Sequence, residues 1–399
     1  MKRILVGLSG GVDSAVSAYL LKKQGYDVTA GFMINYLAPE GEYCPTKEDI
    51  EVARQVAEYL EIPFFTFDYR EEYEKKVLNY MYEGYKKGIT PNPDIMCNSE
   101  VKFKVFLEEA LELGFDGVAT GHYARITTSS QPSPLEDKEQ AQNNSPLLQR
   151  RGVRGEVIYH LKKGVDENKD QSYFLAGLNQ FQLSHSLFPI GDLEKPEVRK
   201  IAEEIGLPNA KRKDSQGICF VGKVDMAKFL EKKIKPKKGL VKDTSGKVLG
   251  EHKGVFYYTI GQRKGLDIGG QAEPIFVVKK DLDKNEIIVG TEKDLNLYSD
   301  ELEFYSIHVV CPHPNPLPIK DMEQKQVLPL TRGELEGGYI LPLKAKCKIR
   351  YRQADQDCML YQENGVYKVK FEKPQRAIAS GQICAIYLGD DLVISGVIK

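Results

Sequence analysis

The chain has 399 residues, of which 41% are hydrophobic and 28% charged, and its formal net charge is −1. That length predicts two or three domains, and the composition is typical of a water-soluble globular protein. No run approaches the ~20 apolar residues that a membrane span requires, so we expect a cytoplasmic protein without a membrane partner. The seven cysteines include no C-x-x-C pair, which argues against a disulfide framework or a zinc knuckle.

Strand and helix patterns alternate from Met1 to about Gly121. This alternation predicts an α/β domain with a doubly wound parallel sheet, whose ligands bind at the carboxyl ends of the strands. Apolar runs mark the strands, and amphipathic periodicity marks the helices. We predict strands at residues 4–8, 27–34, 64–67 and 117–120, and helices at 12–21, 46–60 with Thr46 as N-cap, 71–87 and 100–113.

Two later stretches lack apolar periodicity. Residues 127–155 predict a flexible insertion, and residues 312–342 predict a loop insertion within a barrel. Between them we predict a strand at 156–163, a short helix at 170–178 and a firmer helix at 194–205, and strand-length runs after Lys238 predict an all-β region. The predicted domains are a nucleotide-binding domain at 1–208, a small β-rich module at 209–272 and a C-terminal β-barrel at 273–399.

The first strand runs into a glycine-rich turn, with I-L-V-G-L-S-G-G-V-D-S over residues 4–14. Two glycines let the backbone approach a ligand closely, and the N-terminal end of the following helix favours a phosphate. No Lys follows Gly11, which excludes a Walker loop, and the glycine spacing excludes a dinucleotide loop. The segment S-G-G-x-D-S resembles the pyrophosphatase loop of enzymes that split ATP into AMP and pyrophosphate. The alternative is a glycine-rich turn that binds nothing.

Two cysteines lie where their surroundings favour chemistry. Cys97 is in T-P-N-P-D-I-M-C-N, a proline-stiffened loop, and Cys219 is in D-S-Q-G-I-C-F after a K-R-K run. Nearby cations lower the pKa of a thiol, as a sulfur carrier requires. Cys219 also lies within residues 195–238, where thirteen Lys and Arg against six Asp and Glu form either a polyanion contact or a solvated surface. We interpret the other cysteines as buried packing residues, namely Cys44, Cys311, Cys347, Cys358 and Cys384.

Seven motifs follow one another along the chain. They are S-G-G-V-D-S, N-P-D-x-x-C-N, A-T-G-H-Y-A, K-D-Q-S-Y-F-L, D-S-Q-G-I-C-F, Y-T-I-G-Q-R-K-G-L and I-R-Y-R. In this order they resemble the tRNA-specific 2-thiouridylase family, whose members put sulfur on the wobble uridine of tRNA, and the resemblance covers the chain apart from its two insertions. It implies an adenine nucleotide alpha hydrolase-like domain that uses ATP with Mg²⁺ and no protein-held metal. It also implies tRNA and a sulfur donor protein as partners.

The same resemblance assigns roles to matching residues. It implies that Asp94 is the acid–base group, that Cys219 carries a persulfide and that Cys97 is the partner thiol that releases the sulfur. ATP would bind Gly7, Leu8, Ser9, Gly10, Gly11, Val12, Asp13 and Ser14, with Met33 and Gly121 beside the adenosine. The target base and the tRNA would contact Asn92, Pro93, Asp94, His122, Lys169, Asp170, Gln171, Arg350, Tyr351 and Gln382.

Several interpretations stay open at this point. Without the resemblance, His122 would be a hydrogen-bonded residue at a strand end, and Arg350 and Tyr351 outward-facing barrel positions. An amidotransferase-type or lysidine synthetase, or a different tRNA thiolase, would share the ATP loop. A non-catalytic, nucleotide-gated RNA-binding protein is the alternative from another class. The two active cysteines are distant in sequence, so a resting structure that holds them apart is compatible with the pattern.

Overall fold

The structure is a computed structural model. It describes residues 1–38, 44–130, 157–214, 219, 221, 225–270, 272–312, 333–335 and 338–399. None of the helices within these ranges is long and apolar enough to cross a membrane. Up to residue 204 the strands and helices are β1 (Arg3–Gly7), α1 (Val12–Lys23), β2 (Asp27–Ile34), α2 (Thr46–Tyr59), β3 (Phe64–Asp68), α3 (Arg70–Tyr73), α4 (Asn79–Lys86), α5 (Pro93–Cys97), α6 (Phe106–Glu112), β4 (Gly117–Ala119), β5 (Ala124–Ser130), β6 (Val157–Lys163), α7 (Gln180–Ser184), β7 (Ser186–Leu187) and α8 (Lys195–Glu204).

A five-stranded parallel sheet organises the N-terminal domain, in the order β3-β2-β1-β4-β7. Side chains alternate across β1, so that Ile4 and Val6 enter one core and Leu5 enters the other. The first core includes residues of α1, α2 and α8, and the second includes residues of α4 and α6. The predicted doubly wound parallel sheet is confirmed, because apolar helices cover both of its faces.

Four local expectations in this domain differ from the structure. Thr46 lies inside α2 instead of capping it, and its hydroxyl donates to the carbonyl of Tyr36 (2.9 Å) while Pro45 holds the cap position. The helix predicted at 71–87 is interrupted by a π-helical stretch, Glu74–Leu78, and that at 100–113 begins within another, Asn98–Val105. In place of the helix predicted at 170–178 there is a single 3-10 turn, Ser172–Leu175.

The predicted insertion at 127–155 lies mostly outside the described residues. Its first four residues belong to β5, which pairs with β6 as an antiparallel hairpin. Residues 131–156 lie outside the described part of the chain. The hairpin extends the barrel sheet through the pairing of Lys162 with Asp391, so it joins the N-terminal domain to the C-terminal one.

The remaining chain is mainly β, as predicted. Its elements are α9 (Met226–Glu231), β8 (Gly239–Asp243), β9 (Val248–His252), β10 (Ile275–Asp281), β11 (Glu286–Thr291), β12 (Tyr298–Val309), β13 (Gly333–Leu335), β14 (Tyr339–Leu341), β15 (Leu343–Lys348), β16 (Gln356–Glu363), β17 (Val366–Arg376), β18 (Ile383–Leu388) and β19 (Asp391–Ile398). One four-stranded sheet has the order β10-β11-β8-β9. The strands β12-β17-β16-β15-β18-β19 form a barrel that the β12–β19 pairing closes.

Two features differ from the predicted organisation of this half. Strand β11 pairs with β8 and β10 pairs with β11, so the central sheet continues past the predicted boundary at residue 272. Within 312–342, the stretch predicted to be a loop insertion, β13 and β14 form a hairpin. Leu335, Tyr339 and Leu341 of this hairpin are at most 2% exposed and belong to the barrel core. Residues 313–332 lie outside the described range.

Candidate active site

The turn between β1 and α1 is held by its own side chains. The Ser14 hydroxyl accepts a hydrogen bond from the Ser9 backbone N–H (3.1 Å) and donates one to the Gly11 carbonyl (3.1 Å). Gly10 adopts φ +77°, and a Cβ atom there would lie 2.8 Å from both the Arg212 guanidinium and the Asp49 carbonyl. The turn therefore requires glycine at position 10 and leaves Ser9 exposed at the carboxyl edge of the sheet.

The other residues predicted to bind ATP lie around this turn. A Cβ atom on Gly121, which follows β4, would lie 2.6 Å from the backbone nitrogen of Ser14. Met33 is buried near the carboxyl end of β2, and its methyl group would lie 3.2 Å from a Cβ atom on Gly7. The structure thus brings Gly7 to Ser14, Met33 and Gly121 together at one edge of the sheet. Close backbone approach at Gly121 is possible because that residue has no side chain.

Asp13, at the start of α1, accepts two hydrogen bonds through one carboxylate oxygen. The donors are the Tyr123 hydroxyl (2.8 Å) and the Lys195 ammonium (2.7 Å). The second oxygen has no hydrogen bond among the described residues. Among those residues no group of three or more His, Cys, Asp or Glu side chains is placed to hold a metal ion. A carboxylate beside a phosphate-sized turn nevertheless fits the magnesium that accompanies ATP.

Lys195 also connects the ATP turn to the segment that leads to Cys219. Its ammonium lies 2.8 Å from Asp214, which also pairs with Lys169 (2.7 Å) and Arg199 (2.6 Å). Burial opposes ionisation of Asp214, but hydrogen bonds from Lys169 and Lys195 hold its pKa well below the usual range. The sequence pattern missed Lys195 and Arg199, because they are two cations among thirteen in a basic stretch.

A second cluster lies around the two cysteines. Asn92 caps α5, since its side-chain oxygen accepts a hydrogen bond from the Ile95 backbone N–H (3.2 Å), and Pro93 begins that helix. Asp94 accepts a hydrogen bond from the backbone N–H of Cys219 (3.0 Å). Burial raises the pKa of Asp94. Asp94 therefore holds the Cys219 backbone, and its raised pKa makes this carboxyl a stronger base than an exposed one.

Cys97 and Cys219 lie side by side as free thiols. The Cys97 thiol is fully buried and donates a hydrogen bond to the sulfur of Cys219. That hydrogen bond, together with the charge of Lys102, lowers the pKa of Cys219 to about 7 against the opposing effect of burial. Burial and the neighbouring Cys219 raise the pKa of Cys97. The sequence leaves the distance between the two thiols open, and in the structure they are in contact.

Lys102 is a buried cation that the sequence analysis missed. Its ammonium lies 3.4 Å from Cys219 Sγ, and the side chain is in the π-helical stretch Asn98–Val105. Burial would lower the pKa of Lys102, but the negative charge on Cys219 raises it overall. The sequence signal that could have found Lys102 is its spacing of five residues from Cys97. In a π-helix, whose turn is wider than that of an α-helix, residues five apart lie on one face.

The three residues of the K-D-Q motif, 169–171, form hydrogen bonds and ion pairs that connect separate segments of the chain. Asp170 is buried, accepts hydrogen bonds from the backbones of Gly164 (3.2 Å) and Ser172 (3.1 Å), and pairs with Lys348 of the barrel (2.9 Å). The Gln171 side chain accepts a hydrogen bond from the Tyr123 backbone (3.0 Å). Together with the Lys169–Asp214 pair, these contacts make all three residues part of the scaffold around the ATP turn.

The other residues predicted to contact tRNA also have partners within the chain. His122 is buried between Phe103 and Phe188, and burial together with the charge of Lys102 lowers its pKa well below the usual value. Arg350 donates to the carbonyl of Ala377 (2.8 Å), and the Tyr351 ring packs on Phe174 (4.4 Å between centroids). Gln382 donates to the carbonyls of Thr90 (2.7 Å) and Pro91 (3.4 Å).

Comparisons with known proteins agree on one family. A tRNA methyl transferase HUP domain model matches residues 2–223, a tRNA methyl transferase PRC-barrel domain model matches 227–291, and an Aminomethyltransferase beta-barrel domain model matches 336–398. The tRNA-specific 2-thiouridylases MnmA of Flavobacterium johnsoniae and Christiangramia forsetii are 43% and 41% identical, with 100% of each chain covered. That of Karelsulcia muelleri is 41% identical over 100% of this chain and 99% of its own. This chain therefore belongs to the tRNA-specific 2-thiouridylase family.

Proposed function

We propose that the protein is an ATP-dependent tRNA sulfurtransferase that replaces the C2 oxygen of the wobble uridine with sulfur. Its family membership supports the enzyme class, and two clusters of side chains support the mechanism. One cluster, around Asp13, suits the phosphates of ATP. The other, around Cys97 and Cys219, suits the transfer of a sulfur atom. The first cluster follows the carboxyl ends of β1 and β4, where ligands of this fold class bind.

In the first step the C2 oxygen of uridine attacks the α-phosphate of ATP, and pyrophosphate leaves. Asp94, whose pKa burial raises, takes the N3 proton of the base as the oxygen attacks. The backbone of Ser9 to Ser14 holds the phosphates, and Asp13 would hold the magnesium that neutralises them. The adenylated oxygen then leaves as part of AMP, which is a better leaving group than hydroxide.

In the second step sulfur reaches C2. The Cys219 thiolate first takes a sulfane sulfur from a donor protein, whose own thiolate leaves. The terminal sulfur of this persulfide attacks C2 and displaces AMP, and Cys97 then attacks Cys219 Sγ. A Cys97–Cys219 disulfide forms, the electron pair of the broken S–S bond stays on the 2-thiouridine, and Asp94 returns the N3 proton. The two thiols lose two electrons, the transferred sulfur gains them, and an external reductant restores the thiols.

The observation that carries this proposal is the unequal state of the two adjacent thiols. The Lys102 ammonium lies 3.4 Å from Cys219 Sγ and helps to lower the pKa of Cys219, whereas burial raises the pKa of Cys97, so Cys219 ionises before Cys97. A persulfide acceptor must be a thiolate, whereas a thiol that acts later must wait in its protonated form. A synthetase that only adenylates its substrate needs neither cysteine.

We further propose tRNA as substrate, a persulfide-carrying protein as sulfur donor and the cytoplasm as location. Reducing conditions suit two free catalytic thiols, and cytoplasmic tRNA is the expected substrate pool. The basic stretch at 195–238 suits the phosphates of an RNA. Exposed Lys211 and Lys213 belong to it, next to the Arg212 side chain that contacts Gly10 of the ATP turn.

The test combines two assays on the purified chain. Pyrophosphate release from ATP is measured with and without unmodified tRNA, and wobble nucleosides are analysed by mass spectrometry after a persulfide donor is added. We expect tRNA-dependent pyrophosphate release and 2-thiouridine. Pyrophosphate release that does not depend on tRNA would favour a small-molecule synthetase. Nucleotide binding without pyrophosphate release would favour the non-catalytic, RNA-binding alternative.

A further inference from the structure

We infer that Lys102 is the positioning cation that serves the two cysteines in turn. It first keeps Cys219 as a thiolate that accepts sulfur, and it then stabilises the Cys97 thiolate that closes the disulfide. This inference rests on the proposed function and deepens it. Neither step was assigned to a lysine by the motifs, in which Lys102 follows the N-P-D-x-x-C-N segment without belonging to it.

The geometry places one positive charge beside Cys219 Sγ, and the same charge lowers the pKa of Cys97. Lys102 is only 9% exposed, and its ammonium donates to Cys219 Sγ at 3.4 Å. Cys97 is buried, directly precedes the π-helical stretch that carries Lys102, and is hydrogen-bonded to that sulfur. Burying an ammonium group is unfavourable unless an anion lies beside it, and here the Cys219 thiolate stabilises the buried Lys102.

The Lys102 ammonium can change its partner because the reaction moves the negative charge from Cys219 to Cys97. While Cys219 is a free thiolate, it takes the hydrogen bond of Cys97 and keeps that thiol protonated. Once Cys219 Sγ is bonded to the transferred sulfur it is neutral, so its influence no longer raises the pKa of Cys97. The Lys102 charge still lowers that pKa, and Cys97 then loses its proton to solvent and attacks Cys219 Sγ.

Among the described residues, the other charged and titratable groups around this pair do not supply a second cation. Asp94, on α5, is a carboxyl whose influence raises the pKa of both cysteines. The Tyr73 hydroxyl, on α3, donates to the Cys219 carbonyl (2.7 Å). His122 has its pKa lowered by burial and by Lys102, so it is neutral near pH 7. Among these neighbours Lys102 alone offers a positive charge to sulfur.

The test measures the pH dependence of iodoacetamide alkylation at Cys219, by peptide mass spectrometry on the full-length chain without ATP or tRNA. The variant is Lys102→Met, which nearly conserves side-chain volume. The matched control is Lys104→Met, two residues along the same stretch, where the side chain pairs with Glu100 (3.0 Å) and is 43% exposed. We expect Lys102→Met to raise the midpoint of alkylation by about 1 to 3 pH units and the control to leave it in place.

A second measurement follows the later step. In a single turnover without reductant, wild-type protein should yield a Cys97–Cys219 disulfide in a non-reducing peptide map. Lys102→Met protein that has been preloaded with sulfur should instead accumulate tRNA joined to Cys219 through a disulfide. An unchanged alkylation midpoint, or a disulfide formed at the wild-type rate, would overturn the role of Lys102.

Two further outcomes distinguish the role of Lys102 from the proposed function. If Lys102→Met does not fold, the alkylation of Cys219 in the wild-type protein is the test. A midpoint near the ordinary thiol value of 9.0 would contradict a thiolate stabilised by Lys102. If wild-type protein makes no 2-thiouridine while its alkylation midpoint is low and shifts in the variant, the proposed function fails and the Lys102–Cys219 pairing stands.

Discussion

The side-chain amide of Gln382 lies 2.7 Å from the carbonyl oxygen of Thr90, so a residue of the C-terminal barrel holds the loop that leads to Asp94 and Cys97. A second bond reinforces this contact, since the Thr90 N–H donates to the Ser380 carbonyl (2.7 Å). The barrel is therefore part of the scaffold of the candidate active site, although none of its described residues belongs to the cysteine cluster. The family resemblance assigns Gln382 to tRNA contact, and that role stays a prediction.

Replacing Gln382 by Ala should lower turnover more than it weakens tRNA binding. The lost hydrogen bond is worth about 1 kcal/mol, and if it serves only to position the Asn92–Asp94 loop, kcat for thiolation should fall about fivefold. The control is Gln356→Ala, because the Gln356 amide bonds within the barrel to Ala354. Kinetics at saturating tRNA separate the two effects, and a loss confined to the tRNA Kd would assign Gln382 to RNA contact alone.

Asp13→Asn should abolish tRNA-dependent pyrophosphate release while the fold is retained. The amide keeps the shape of the carboxylate but loses the charge that Lys195 and the magnesium of ATP would both require. Asp27→Asn is the control, because Asp27 is an exposed carboxylate at the opposite end of β2 and pairs only loosely with Arg3 (3.8 Å). Normal pyrophosphate release by folded Asp13→Asn protein would contradict the ATP assignment.

The two cysteines should fail at different steps when they are replaced by Ser. Cys219→Ser should release pyrophosphate and bind tRNA but carry no persulfide. Cys97→Ser should accept sulfur on Cys219 and then stall, because the thiol that closes the disulfide is missing. Intact-protein mass spectrometry after incubation with a persulfide donor distinguishes the two. Wild-type thiolation rates in both variants would rule out the two-cysteine mechanism.

Binding of tRNA should weaken as salt concentration rises. Lys211 and Lys213 are exposed, and each phosphate contact that they make should contribute roughly one unit to the slope of log affinity against log salt. The double change Lys211→Ala with Lys213→Ala should therefore flatten the slope. Arg212 is left intact in this test, because its guanidinium pairs with Asp49 (2.6 Å) and supports the ATP turn. A slope unchanged by the double replacement would mean that these lysines are only solvated.

Leu341→Ala should destabilise the protein by about 2 to 5 kcal/mol, since the side chain is fully buried in the barrel core and its removal leaves a cavity. The neighbouring control Ile340→Ala, at a partly exposed position, should cost less. Thermal unfolding of the two variants measures the difference. A deletion of residues 312–341 would remove the buried hairpin, so it should also destabilise the protein, although the sequence predicts a loop insertion there. Equal melting temperatures for the two variants would contradict burial at position 341.

The sequence by itself determined the parts that depend on local pattern. Alternating apolar runs and amphipathic helices specify the parallel sheet, and the turn at Ser9 to Ser14 carries its glycines and serines in consecutive positions. The order of the seven motifs identified the family. The sequence could not set helix boundaries where tertiary contacts decide them. At Thr46, for example, the hydroxyl donates a hydrogen bond to the Tyr36 carbonyl and does not cap its own helix.

Only the tertiary structure decided which distant residues act together. Cys97 and Cys219 come into contact because Asp94 and Tyr73 hold the Cys219 backbone from two different helices. Lys102 and Lys195 acquire their importance from burial and from the carboxylates or thiols opposite them, neither of which a linear pattern records. Likewise, the hairpin around Tyr339 looks like a loop in sequence because its strands are three residues long, and it is stable because the barrel buries its apolar side chains.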